Sequence, residues 1–348
     1  MPARQKRAAL LLAGFILAAL LGYWSLQRVD LMVVFLTLRK LRLWQILVLL
    51  IFNLGIVGLF GIRWWWILRL QGIRIPFIGL LFYRLSGFGL SYFTPGPQFG
   101  GEPWQVYLLY WRHAVPLSTG AASVALDKLM ELLANFSFLA FGILTTLQWG
   151  FFHLSSVPGI GLPMVGVLSL PLLILLALRF GKLPATYLIH RLPSAPGVIR
   201  RGLSAFARAE QASADTLRNH SGAVAFITLY SLSVWIAMLG EYWLTLRFFG
   251  VELGLNETVL ALTAARLAFL TPIPGGLGAL EASQILALQA LGWDGSVGLS
   301  LSLFIRARDV LFASAGLWLG SVFTAGKRQP PKETSLDGET TNSTKESD

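Results

Sequence analysis

Thr94-Pro95-Gly96-Pro97-Gln98-Phe99-Gly100-Gly101-Glu102 and Thr271-Pro272-Ile273-Pro274-Gly275-Gly276-Leu277-Gly278-Ala279-Leu280-Glu281 interrupt an otherwise apolar chain, one in each half. Proline removes a backbone donor and glycine opens the backbone, so neither stretch continues a helix. Hydrocarbon offers no water to satisfy the freed groups. Broken helices at membrane depth are tolerated only where they are buried in protein or line a cavity. A break in each half, each ending in a glutamate, is the pattern of a transporter built from two related halves.

Composition supports a membrane solvent. Of 348 residues, 55% are hydrophobic and 13% charged, against about 25% charged in soluble domains. The absence of cysteine excludes disulfides, thiolate metal sites and cysteine nucleophiles. Four scattered histidines lack any metal-ligand spacing, so no metal site is expected. No Walker motif, dinucleotide fingerprint or Ser/His/Asp set is present, so no cofactor and no catalytic residue is assigned. The net charge of +11 lies in short segments flanking apolar runs. It reads as topology rather than as a nucleic-acid footprint.

Apolar runs at 8–26, 44–62, 117–147, 161–180, 222–249 and 297–325 approach or exceed the ~20 residues that span a bilayer. The first is too long for a signal-peptide core and has no cleavage site, so it is expected to remain as a helix. Segments 76–112 and 257–292 carry the breaks and read as re-entrant helical hairpins. The expected fold class is therefore an all-α polytopic membrane protein, with about six full transmembrane helices and two broken hairpins.

Charge orients these elements. Segment 179–220 carries Arg179, Lys182, Arg191, Arg200, Arg201, Arg208 and Arg218 against Glu210 and Asp215, which places it in the cytoplasm with both termini. The connection 148–160 carries no formal charge and 250–257 only Glu252 and Glu257, and both fit the outer side. Segment 27–43 is basic where an outer loop is expected; its helical apolar spacing suits the interface plane, and its side stays open. Units 44–147 and 222–325 then run in opposite directions, an inverted repeat within an integral membrane domain of residues 1–326. Residues 327–348 have almost no apolar side chains and read as a disordered cytoplasmic tail.

Several residues could carry function. Glu102 and Glu281 open new helices after Gly101 and after Gly275, Gly276 and Gly278. Two readings stand for them: complementing helix dipoles, worth about 0.3–1 kcal/mol, or contacting cargo, because a carboxylate at membrane depth is costly. Asp127 and Glu131 share a helix face with Lys128 alongside, either as an internal salt bridge or as a polar path. Glu102 precedes Asp127 by the same interval as Glu281 precedes Arg306, and Asp127 opposite Arg306 suggests pairing between the halves. Arg306 and Asp309 read as a second facing pair. Arg266 and Arg84 suit lipid phosphate, with snorkelling the alternative, favoured for Arg84. Glu241 and Arg247 read as a structural pair. Trp64-Trp65-Trp66, flanked by Arg63 and Arg69, reads as an interfacial aromatic belt.

At these residues the chain resembles the transmembrane region of lysylphosphatidylglycerol synthases. The likeness rests on Arg63-Trp64 with Leu68 and Gly72, on Gly101-Glu102-Pro103 followed by Tyr107-Leu108-Leu109, and on Val115-Pro116-Leu117-Ser118. It continues through residues 127–131, Thr271 to Gly278 with Glu281, and Arg306, covering about residues 8–325. The resemblance implies lipid handling. In resistance-factor members this region moves aminoacylated phosphatidylglycerol between leaflets beside a cytosolic aminoacyl-transferase domain. Little chain follows Gly326, so synthesis of lysyl-lipid is not expected here. Other relatives are associated with hopanoid or polyprenol-linked sugar lipids, which leaves the substrate open.

The expected function is a flippase-like transporter in the inner membrane that moves a phospholipid or lipid-linked headgroup. Its partners are membrane lipids, anionic or lipid-linked, with envelope-biosynthesis enzymes as a second class; oligomeric state stays open. A non-catalytic subunit of a lipid or glycan synthase, or a membrane-embedded transferase with Glu102 or Asp127 as base, are the alternatives. The candidate contact residues are Glu102, Glu281, Asp127, Glu131, Arg266, Arg306, Gly101, Gly275 and Gly276.

Overall fold

The computed structural model describes residues 41–94, 100–148, 161–181, 197–271, 273 and 276–325, and residues 32, 36, 39 and 187 besides. The expected first span 8–26, the connection 148–160 beyond Gln148, Gly275, nearly all of 27–40 and the tail lie outside this description. Among the described residues there are ten helices and no strand. These are α1 Leu43–Leu70, α2 Phe77–Phe93, α3 Glu102–His113, α4 Leu117–Gln148, α5 Gly161–Arg179, α6 Gly197–Asn219, α7 Ser221–Phe248, α8 Leu255–Phe269, α9 Ala279–Ala290 and α10 Gly295–Ala325.

Among the described residues, three helices are both long and apolar enough to cross a bilayer: Leu43–Leu70, Leu117–Thr146 and Ser221–Phe248. They leave Ile51, Leu54, Phe141, Leu144, Leu229 and Ile236 exposed, the outward apolar surface expected of a lipid-solvated bundle. Helix α10 has 31 residues but carries Arg306, Arg308 and Asp309 within its length. The broken segments form the short pairs α2–α3 and α8–α9. With 17, 12, 15 and 12 residues, and a rise of about 1.5 Å per residue, each arm stops short of a ~30 Å hydrocarbon core.

Local chemistry terminates these arms as expected. Pro103 occupies the first turn of α3, where its missing N–H costs nothing. Gly278, at φ +75°, turns the chain into α9. Asp294 precedes α10 and accepts a 2.7 Å hydrogen bond from the Ser296 N–H, and hydrogen bonding from Ser296 holds its carboxyl below the ordinary range.

The two halves share a register. The helix starts Leu43 and Ser221, Phe77 and Leu255, and Leu117 and Gly295 pair α1 with α7, α2 with α8 and α4 with α10 at one constant offset. The remaining pair, α3 at Glu102 and α9 at Ala279, falls a single position short of it. Packing between the halves is reciprocal. Helix α2 lies along α10, and its counterpart α8 lies along α4, the counterpart of α10; α1 packs on α7. Glycines permit both crossings. A Cβ on Gly316 would overlap the Leu85 carbonyl oxygen, and one on Gly142 would overlap Thr263 Oγ1. Close backbone approach through small residues is how membrane helices gain contact without a hydrophobic drive.

Helix α6 lies within the basic segment 179–220. It packs on α4 and α5, burying Glu210, Ser213, Ala214 and Leu217. Trp64 departs from the expected interfacial belt, whereas Trp65 and Trp66 are only partly buried. Helix α1 continues to Leu70, so Trp64 is 1% exposed in the core and donates to Ser123 Oγ at 3.3 Å.

Candidate functional site

Ionisable side chains converge inside the bundle because each lies on the inward face of a packed helix. Asp127 and Glu131, one turn apart on α4, face Arg63 from α1 and Arg84 from α2. Arg63 Nε donates to Asp127 Oδ1 at 2.7 Å and its Nη2 to Glu131 Oε2 at 3.2 Å. Arg84 donates to Asp127 Oδ2 at 2.6 Å and to Glu131 Oε2 at 2.8 Å. The Phe60 ring lies against both guanidiniums, 5.2 and 4.8 Å from them. Lys128 closes the network on Glu131 at 3.0 Å and Glu102 at 3.4 Å. Three cations thus meet three carboxylates. Such burial is tolerable only with each charge both paired and hydrogen-bonded.

The second half builds a sparser set. Arg308 bridges Glu241 at 2.9 Å and Asp309 at 2.9 Å. Arg306 Nε donates to Glu281 Oε1 at 2.8 Å. Asn53 of α1 also donates to Glu241, at 3.0 Å.

Between these sets lies a cavity of about 640 Å³, walled by both halves. That is within the ~300–1,000 Å³ range of small-molecule sites. Arg84, Glu102, Asp127, Lys128 and Glu131 line it from one half, and Glu241, Arg266, Arg308 and Asp309 from the other. Apolar side chains including Phe60, Phe88, Trp235 and Phe269 complete the wall. The arrangement offers both signs of charge to a polar group while aromatic and aliphatic surface receives an apolar one.

A family model for the lysylphosphatidylglycerol synthase TM region matches residues 11–316. The chain belongs to this family. A search of curated proteins finds no match. Membership, with the apolar spanning helices, makes this a multi-pass membrane protein of lipid metabolism or transport.

Within this family member the expected contact residues are placed unequally. Asp127, Glu131, Glu102 and Arg266 line the cavity. Glu102 also accepts a 2.8 Å hydrogen bond from the Gly100 N–H. Glu281 does the same for Gly278 at 2.8 Å and holds Arg306, but neither Glu281 nor Arg306 is part of the cavity wall. Gly101 is a packing position, since a Cβ there would overlap the Gly87 carbonyl oxygen. Gly276, at φ +62°, shapes the second break.

Pairings differ from expectation. Asp127 and Arg306 do not meet, because Asp127 is taken by Arg63 and Arg84 and Arg306 by Glu281. Asp309 pairs with the adjacent Arg308 instead of Arg306. Arg84 does not snorkel, since two carboxylates hold it inside. Glu241 pairs with Arg308 while Arg247 stacks over Trp243 at 4.7 Å. Arg63 is hard to read as a network member because its neighbours are tryptophans. The signal that finds it is its equivalence in the repeat to Glu241, another charge inside an apolar run.

Proposed function

We propose that this protein is a flippase-like transporter that moves a phospholipid or lipid-linked headgroup between the leaflets of the inner membrane. The observation that carries this reading is the charged cavity of about 640 Å³ whose wall comes from both halves. A polar headgroup crossing hydrocarbon needs such a path, because burying it without partners costs several kcal/mol. The acyl chains would stay beside the exposed apolar faces of the long helices.

The matching helix starts and reciprocal contacts support an inverted repeat of 44–147 and 222–325. Rocking one half against the other would open the cavity to each leaflet in turn. In this reading both termini are cytoplasmic and the protein transports lipid without making or breaking bonds in it.

Reconstitution tests it. Purified protein in liposomes carrying labelled phospholipids is scored for leaflet exchange, with protein-free liposomes as reference. Exchange that rises with protein and falls in Asp127→Asn with folding intact is the expected result. Exchange no faster than in protein-free liposomes, across phospholipid and glycosylated probes, would leave the accessory-subunit reading in its place.

A further inference from the structure

Arg266 on α8 is unlike the other cations of the cavity wall. Arg84 is held by two carboxylates at 2.6 and 2.8 Å, Lys128 by two at 3.0 and 3.4 Å, and Arg308 by two at 2.9 Å. Among the described residues, no carboxylate lies within 4.0 Å of Arg266. Its Nη2 reaches only the Met238 sulfur, at 3.9 Å, and the guanidinium sits 5.1 Å from the Trp235 ring. Its Nε is buried with no acceptor. A guanidinium has five N–H donors and cannot shed its charge, so a buried donor left empty carries a cost that an incoming acceptor relieves.

The repeat isolates this residue further. With the offset that aligns Phe77 with Leu255, Arg84 corresponds to Leu262 and Arg266 to Phe88, and all four line the cavity. Each half therefore contributes one arginine from its short helix, one turn apart in register. The first is committed to Asp127 and Glu131; the second is not. Glu241 and Asp309 are both engaged by Arg308, and neither closes on Arg266.

We infer that Arg266 is the anion-binding residue of the cavity, and that the anion is a phosphate oxygen pair held through Nε–H and Nη–H. The guanidinium fork matches phosphate in bidentate fashion. Trp235 beside it and Phe269 in the same cavity wall suit the apolar part of a lipid glycerophosphate better than a hydrated ion. The lipid source of the phosphate rests on the transport reading, whereas the anion site itself does not.

Binding measured apart from transport decides it. The full chain in detergent micelles is titrated by calorimetry with short-chain phosphatidylglycerol, short-chain diacylglycerol and inorganic phosphate. Phosphatidylglycerol is expected to bind about 10- to 100-fold more weakly to Arg266→Gln, with Arg266→Lys in between. Diacylglycerol should bind weakly and equally to all three. Phosphate binding that depends on Arg266 names free phosphate as a sufficient ligand; lipid binding without it names the headgroup, and both uphold the assignment. Equal lipid affinity in wild type and Arg266→Gln overturns it. Thermal melting accompanies each titration, and if Arg266→Gln does not fold, Arg266→Lys decides: unchanged affinity there overturns the bidentate site. Arg266-dependent binding without leaflet exchange would sink the transport proposal alone, and exchange with Arg266-independent binding would sink this one alone.

Discussion

Arg63 on α1 and Glu241 on α7 occupy equivalent places in the two halves, with opposite charges. Each reaches a polar residue on the other's helix: Arg63 Nη1 donates to Ser231 Oγ at 3.5 Å, and Glu241 Oε1 accepts from Asn53 Nδ2 at 3.0 Å. Asn53 and Ser231 are themselves related by the same offset that relates Arg63 to Glu241. The α1–α7 seam is therefore one contact used twice with its sign inverted. Each charge also belongs to its own half's network, Arg63 to Asp127 and Glu131, and Glu241 to Arg308. The seam so couples the two charge clusters that flank the cavity.

That coupling makes Arg63 the costliest charge to remove. It is 1% exposed, and its loss leaves Asp127 with Arg84 alone, which also serves Glu131 beside Lys128. Removing one partner of a buried pair costs about 3–5 kcal/mol. Arg63→Met should lower the thermal midpoint sharply, and Arg63→Met with Asp127→Asn should cost less than the two single changes added together. A double-mutant cycle by thermal unfolding measures this; strict additivity would mean that the pair does not act as a unit.

The two break glutamates should separate by readout. Glu281 is tied to Arg306 and to the Gly278 N–H away from the cavity wall. Glu281→Gln is therefore expected to cost about 1–3 kcal/mol while leaving exchange per folded molecule unchanged. Glu102 lines the cavity and holds Lys128 only at 3.4 Å. Glu102→Gln keeps an acceptor for the Gly100 N–H, so stability should move little while leaflet exchange falls. Melting and exchange on the same preparations test both; the opposite pattern would assign the glutamates the other way round.

The break positions were legible because proline and glycine act locally, within one turn of where they stand. Span 117–147 was legible for a similar reason, since its hydropathy is a property of one continuous segment. The partner of Asp127 was not. Arg63 lies 64 residues away and Arg84 lies 43 away, and which of two arginines faces a carboxylate depends on helix rotation and crossing, which no local pattern records. Equal spacing from the two break glutamates points to Asp127 and Arg306, whereas the helix starts put Lys128 opposite Arg306 and Glu131 opposite Asp309. Counting from the glutamates slips the register because Glu102 and Glu281 stand one position further apart than the offset shared by the other helix pairs.

Glycine substitutions should rank by what the new Cβ meets. At Gly316 it overlaps the Leu85 carbonyl oxygen, and backbone cannot step aside without opening the α2–α10 crossing. At Gly320 it overlaps Ser86 Oγ, a side chain that can rotate. At Gly58 nothing lies within 4 Å. Gly316→Ala is expected to cost about 1–3 kcal/mol or more, Gly320→Ala less, and Gly58→Ala to be neutral or stabilising by up to about 1 kcal/mol. Thermal melts of the three variants give the order, and equal melting of Gly316→Ala and Gly58→Ala would mean that the helices do not approach this closely.

Orientation is testable at one equivalent pair. Arg74 lies in the connection between α1 and α2, and Glu252 takes the corresponding place between α7 and α8; both are exposed. The first connection carries an arginine and 250–257 carries no Lys or Arg, the bias the positive-inside rule expects if the two connections sit on opposite faces. The chain has no cysteine, so Arg74→Cys and Glu252→Cys each introduce a single thiol. A membrane-impermeant maleimide applied to intact spheroplasts should label Glu252→Cys at once and Arg74→Cys only after the membrane is opened. Labelling of both from the same side would refute the inverted repeat, and with it alternating access by rocking one half on the other. The cavity charges would then need a path that does not exchange sides by symmetry.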